Sequence, residues 1–208
     1  MVSVRIPWLV SAVFRGVVWR IPTSNKELFL TFDDGPVPEV TPWVLDELAR
    51  YGAKATFFCI GQNCAAHPEL LERIQREGHT VGDHTWDHPR GRRTPFRSYL
   101  RNTVRGEHAT GSRLFRPPYG SLTWQQYRAL RKRYQVILWD VLSADYDQRI
   151  SGPQCWDRVK RGTKRGSIIV FHDSLKAEKN LRYTLPRALE YFAAQGFRFR
   201  ALATDPRA

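Results

Sequence analysis

Two adjacent carboxylates, Asp33-Asp34, are followed by Gly35-Pro36. Neighbouring side chains of an extended strand point to opposite faces. Both carboxylates can therefore serve one site only if the chain turns there, and Gly-Pro supplies a turn. Held close, they repel, and ionising both calls for a cation. Alone, the motif reads equally well as a plain turn. Further on stand His84 and His88, four residues apart. At helical spacing such a pair can grip one metal ion, although six histidines in the chain also make a chance pair credible. With Asp34 added, the set becomes two imidazoles and a carboxylate. It suits zinc or a similar divalent ion with a position left for water.

The remaining polar residues are scattered more widely. Arg116-Pro117-Pro118-Tyr119-Gly120 is stiffened by its prolines. It either holds Arg116 and the backbone near Tyr119 in place or is simply a rigid loop. Asp140 and Asp145 follow an apolar run, and Asp145 can pair with Arg116 or serve a turn. His172 closes another apolar run, where a buried, hydrogen-bonded histidine is the common occurrence. Asp173 after it can cap the next segment.

What would bring these residues together is the pattern of elements between them. Glu27–Asp33 (ELFLTFD) is rich in strand formers. A helix is expected over 43–51, with Thr41 as cap, Pro42 in the first turn and Gly52 closing it. Residues 54–60 form a second strand, Pro68–Arg76 a helix ended by Gly78, and 79–84 a third strand. Helical spacing recurs over 94–110, 124–133, 154–160 and 185–195. Strands are expected at 114–116, 135–139, 167–172 and 197–202. About seven strands, most followed by a helix, argue for a parallel sheet with helices outside, as a barrel or a doubly wound sheet. In either, the C-terminal strand ends share one face, and Asp33, Asp34, His84, Arg116, Asp145 and His172 all lie at such ends.

The 208 residues are enough for one sizeable core and argue for a single domain. A hydrophobic share of 42% against 25% charged excludes a fully disordered chain. The net charge of +13 points to an anionic partner or a solvated basic face. The excess is local: positions 90–134 hold twelve Arg or Lys and one acid, Glu107. Three cysteines, Cys59, Cys64 and Cys155, without a CxxC pair, argue against a disulfide framework or a Cys-rich zinc site. Near the N-terminus an apolar run at 6–14 is short and broken by Arg15 and Arg20, with no clear cleavage site. We read 1–26 as an extension packed on the domain through a short helix using Trp8, Val13 and Val17, ahead of a main domain over 27–208. No run is long enough to span a membrane, and the default expectation is a cytoplasmic protein.

The order of motifs is itself informative. TFDDGP at 31–36, HTWDH at 84–88, RPPYG at 116–120, Ser143-x-Asp145 and Val170-x-His172 together resemble the polysaccharide deacetylase family, the NodB-homology domain of family 4 carbohydrate esterases. The resemblance implies a distorted (β/α)7-type barrel of mostly parallel strands in one α/β domain. It implies metal-dependent removal of acetyl groups from N-acetylated sugars, with zinc the expected ion and cobalt or nickel as substitutes. On this resemblance Asp34, His84 and His88 bind the metal, Asp33 is the general base and His172 the general acid. Arg116 orients Asp33, Asp145 holds Arg116, and the Tyr119 N–H, carried by Pro118-Tyr119, helps bind the oxyanion. Two positions depart from the family pattern. Tyr146 stands where tryptophan is frequent and Val170 where leucine is frequent. Both line the acetyl pocket in relatives, so both bear on acyl-group size.

The partner implied is an N-acetylated glycan, an anionic one if the basic stretch steers it. Two other readings use the same residues differently. One is hydrolysis of a non-polymeric amide or formamide at the same site. The other is a basic protein that binds an anionic polymer through a relic site, against which the completeness of the motif set argues. No RNA-module stacking motif is visible, and specific nucleic-acid binding is not expected.

Overall fold

The computed structural model describes residues 16–203. In chain order its strands are β1 (Val17–Val18), β2 (Glu27–Asp33), β3 (Thr56–Cys59), β4 (Thr80–Asp83), β5 (Leu114–Phe115), β6 (Gln135–Ile137), β7 (Val141–Leu142), β8 (Ile168–His172) and β9 (Arg198–Phe199). Its helices are α1 (Thr41–Ala49), α2 (Gly61–Ala66), α3 (Pro68–Arg76), α4 (Phe96–Thr110), α5 (Trp124–Leu130), α6 (Gly152–Gly162) and α7 (Glu178–Ala194). The strands pair in the order β1-β6-β5-β4-β3-β2-β8-β7, with β9 joined to the start of β2, and every ladder is parallel. An isolated antiparallel bridge, Arg20 to Ser167, ties the chain leaving one edge to the start of β8 near the other. The sheet is thus curled toward closure, as the barrel expectation requires.

Alternation along β2 explains how one strand serves both the core and the site. Leu28, Leu30 and Phe32 face outward into the main core, against Val44, Leu45 and Leu48 of α1 and Leu181, Leu185 and Leu189 of α7. Phe29 faces the barrel interior beside Phe58, Leu114, Ile137 and Ile168. Thr31 and Asp33 continue that inner face toward the C-terminal end, where it turns polar. β8 behaves in the same way: Ile169 and Phe171 point into the outer core, and His172 ends the inner row. The β2–β8 register places Asp33 directly beside His172.

Several local expectations need correction. Thr41 is the first helical residue of α1, not its cap; Val40 takes that place. Val17 pairs with Val136 in a strand rather than lining a helix, because the end of the barrel offers it an open edge. The expected roles of Trp8 and Val13 lie outside the described residues. α7 begins at Glu178, well before the expected 185, and carries Pro186 inside it. The three cysteines are buried and unbridged. Among the described residues no helix is long and apolar enough to cross a membrane.

Phe32 stacks on Phe57 at 5.0 Å and on Phe171 at 5.9 Å, joining three central strands. Replacing it with alanine should cost about 3–5 kcal/mol. Urea unfolding that shows a loss below about 1 kcal/mol would contradict this packing.

Candidate metal-dependent active site

At the C-terminal ends of β2, β4, β5, β7 and β8 lies a cleft of about 590 Å3, lined in part by Asp33, Asp34, His84, His88, Tyr119 and His172. Arg116 lies beneath it and is fully buried. One Nη donates to Asp33 Oδ1 at 2.6 Å and to Thr31 Oγ1 at 2.8 Å. The other donates to the Leu138 carbonyl at 3.0 Å, while its Cζ lies 4.1 Å from the centre of the Phe58 ring. The Thr31 hydroxyl itself donates to Ile169 O. Its oxygen is therefore left to accept from Arg116.

Asp34 turns away from Asp33 because its backbone adopts φ 81°. That left-handed conformation is costly for a residue other than glycine. Asp173, whose type and position also suit a cap on the following segment, holds this turn instead. Its carboxylate accepts from the Gly35 N–H at 3.1 Å and the Thr41 hydroxyl at 2.6 Å, and its own N–H donates to the Asp33 carbonyl. Burial pushes its carboxyl up to about 8, against the pull of the Thr41 hydroxyl and the Gly35 N–H.

His84 and His88 meet Asp34 without a helix between them. His84 follows β4, and Thr85 and His88 have φ of 69° and 60°, so a tight loop replaces the expected helical turn. The Asp34, His84 and His88 ligand atoms lie within 4.8 Å of one another. Nε2 of His88 is 3.2 Å and that of His84 3.7 Å from Asp34 Oδ1. Nδ1 of His84 sits 2.7 Å from the Arg116 carbonyl. Donating there leaves Nε2 as the free lone pair facing Asp34. Burial, reinforced by the neighbouring His88, lowers the His84 pKa to about 3, and burial lowers that of His88 too. Both imidazoles are neutral, as ligands must be. Asp34 Oδ1 is buried and accepts no hydrogen bond. An orphaned carboxylate oxygen facing two neutral imidazoles fits a divalent cation.

His172 has the opposite character. Burial disfavours its charge, but Asp145 overrides this and raises its pKa to about 9. Asp145 Oδ1 lies 2.8 Å from His172 Nδ1, and Oδ2 accepts the His172 N–H at 2.9 Å. The expected Asp145–Arg116 pairing is therefore corrected: Asp145 holds His172, while Arg116 is occupied by Asp33, Thr31 and main-chain carbonyls.

The other expected positions divide. Tyr119 lines the cleft with φ 59°; Gly120 and Ser121 N–H groups bond back to Pro117 and Pro118, and the Tyr119 N–H takes no part in those turns. Tyr146 lines the cleft and sets its ring edge-on to His172 at 4.8 Å. Pro118 and Val170 are buried and do not line the cleft; Leu142, which pairs with Val170 across β7–β8, supplies the apolar wall. Asp140 is turned away, accepting from Ser167 and Ile168. Trp139, whose ring also lines the cleft, carried no polar signal that would have singled it out.

The polysaccharide deacetylase family model matches residues 20–136. A peptidoglycan-N-acetylglucosamine deacetylase of Bacillus cereus is 31% identical over 190 residues, covering 88% of this chain and 89% of that protein. The peptidoglycan-N-acetylglucosamine deacetylase PgdA of Listeria monocytogenes is 34% identical over 182 residues, 85% of this chain, which spans only 38% of that longer protein. Among solved structures, the Bc1960 peptidoglycan N-acetylglucosamine deacetylase superposes with a TM-score of 0.86 at 27% identity, covering 95% of each chain. A family 4 carbohydrate esterase from Streptomyces lividans gives 0.76 at 29% identity over 88% of this chain and all of that one.

The Asp145–His172 pair makes a signed prediction. The folded pKa near 9 lies above the reference 6.5, so the pair's stabilisation is complete below 6.5 and is lost as pH rises through about 9. In Asp145→Asn, burial acts unopposed by that partner. An NMR titration should then find His172 deprotonating more than one unit lower (about 1.4 kcal/mol per unit). An unchanged titration would break the assignment.

Proposed function

Because this chain belongs to the polysaccharide deacetylase family, we propose that it hydrolyses the acetamido group of an N-acetylated glycan with the help of a divalent metal, zinc first among the candidates. The observation that carries the reading is the register of β2 and β8. It sets a carboxylate and a cationic imidazole side by side, next to a second carboxylate-and-imidazole cluster suited to a cation.

Asp34, His84 and His88 would hold the ion, which when bound supplies Lewis-acid polarisation of a carbonyl and activation of water. The protein's own groups do the rest. Asp33 accepts the water proton, and Arg116 fixes which oxygen is free to do so, since Oδ1 is already engaged. The Tyr119 N–H is available to a developing oxyanion, a donor of the kind worth about 3 kcal/mol. An amine leaves only when protonated, and His172 carries a proton throughout the neutral range because Asp145 stabilises its cation. Leu142, Tyr146 and Trp139 wall the cleft where a small acyl group would sit.

Acetate release from a panel of N-acetylated glycans, with and without a chelator, tests the reading. Release that stops on chelation and returns with zinc is the expected result; activity indifferent to chelation would refute it. Asp33→Asn should keep its metal and lose about a hundred- to ten-thousandfold in turnover. His84→Ala should instead lose the metal, and full zinc occupancy by elemental analysis would contradict the ligand assignment.

A further inference from the structure

Beyond the reacting groups, the two walls of the cleft repeat one arrangement. On one wall the Tyr119 ring lies 4.6 Å from the His88 ring, and the Arg90 guanidinium sits 4.1 Å over Tyr119. On the other, the Tyr146 ring meets His172 at 4.8 Å, and the Lys176 ammonium lies 5.7 Å from Tyr146. Each wall therefore runs imidazole, phenol, cation. Both cations line the cleft and both are exposed.

Elsewhere, Arg113 and Arg133 pair with Glu107, and Arg149 pairs with Asp147. Arg90 and Lys176 have no ion-pair partner among the described residues. The carboxylates of the cleft cannot serve them: Asp33 is held by Arg116 and Asp34 faces the two ligand imidazoles. Stacking on an aromatic ring fixes a cation in place without neutralising it. A neutral glycan could use the two rings and accept hydrogen bonds from the two cations, but it has no charge to set against theirs.

Resting on the deacetylase reading above, we propose that Arg90 and Lys176 are paired anion-reading positions that select an acidic glycan. The acetamido group under attack would lie between neighbouring sugar units that carry ionised carboxylates. The same preference is served at longer range by the basic stretch over 90–134, which raises the local concentration of an anionic chain. At short range the two cations set where along the chain the enzyme stops.

An oligosaccharide alternating N-acetylglucosamine with N-acetylmuramic acid and its carboxyl methyl ester differ in charge alone, which makes them a matched pair of probes. Calorimetry on the metal-loaded full chain should find the acid bound at least about tenfold more tightly than the ester at low ionic strength. That ratio should fall several-fold in Arg90→Gln and in Lys176→Gln, and should shrink on adding salt. Equal affinity for acid and ester, or a ratio that neither variant changes, would overturn the proposal. Acetate release from both forms with equal affinity would sink it while leaving the deacetylase reading intact. Charge-dependent binding without acetate release from either form would do the reverse.

Discussion

The site is organised around a buried guanidinium. Arg116 has no exposure at all, and an unpaired charge there would cost several kcal/mol. Its planar fork meets that cost with directed partners: Asp33, Thr31 and two carbonyls of the chain leaving β6, with the Phe58 ring against its face. A lysine could not satisfy this set, since it lacks the fixed fork. The consequence runs outward. Asp33 is oriented from below, so Asp34 must leave the strand on a different heading, and the turn that allows this becomes the hinge of the whole Asp34, His84 and His88 cluster. The same residue sets the imidazole opposite, because the Arg116 carbonyl faces His84 Nδ1.

Three histidines around one cleft acquire two different characters. His84 is buried and His88 half-buried, His84 turns its far nitrogen to a main-chain carbonyl rather than a carboxylate, and desolvation keeps both neutral. His172 is half-buried too, but both oxygens of Asp145 hold it, and the charge is retained. The neutral and the cationic imidazoles thus differ by the partner behind the ring, not by the ring. This is the general route by which one fold runs base and acid chemistry at one pH.

Much of this was legible in the residues. The alternating elements gave a parallel sheet, and the strand-end rule collected Asp33, Asp34, His84, Arg116, Asp145 and His172 on one face. What escaped is local geometry. The spacing of His84 and His88 looked helical, yet the chain there is a loop with positive φ at Thr85 and His88. The partner of Asp145 was misassigned because Arg116 and His172 both end strands near it, and only the register decides between them. Asp173 passed for a cap because its two partners, Gly35 and Thr41, lie about 130 residues upstream. Val170 was placed in the pocket, whereas the short strand that brings Leu142 there has only two residues and leaves no periodic trace.

All five described residues other than glycine with positive φ belong to this cleft or adjoin its residues: Asp34, Thr85, His88, Tyr119 and Ala144. Strain of that kind persists only where surrounding groups over-determine it. Two buried carboxylates do this in parallel. Asp173 accepts the Gly35 N–H beside Asp34, and Asp83 accepts the N–H of Thr85 itself at 2.8 Å. Each lies against a glycine that leaves room for it. A Cβ on Gly35 would come within 2.0 Å of Asp173 Oδ2, and one on Gly106 of α4 within 2.2 Å of Asp83 Oδ1. Both turns are therefore fixed by a carboxylate that only a missing side chain admits. The same device, used once on each side, keeps the Asp34 arm and the two-imidazole arm of the cluster aimed at a common point.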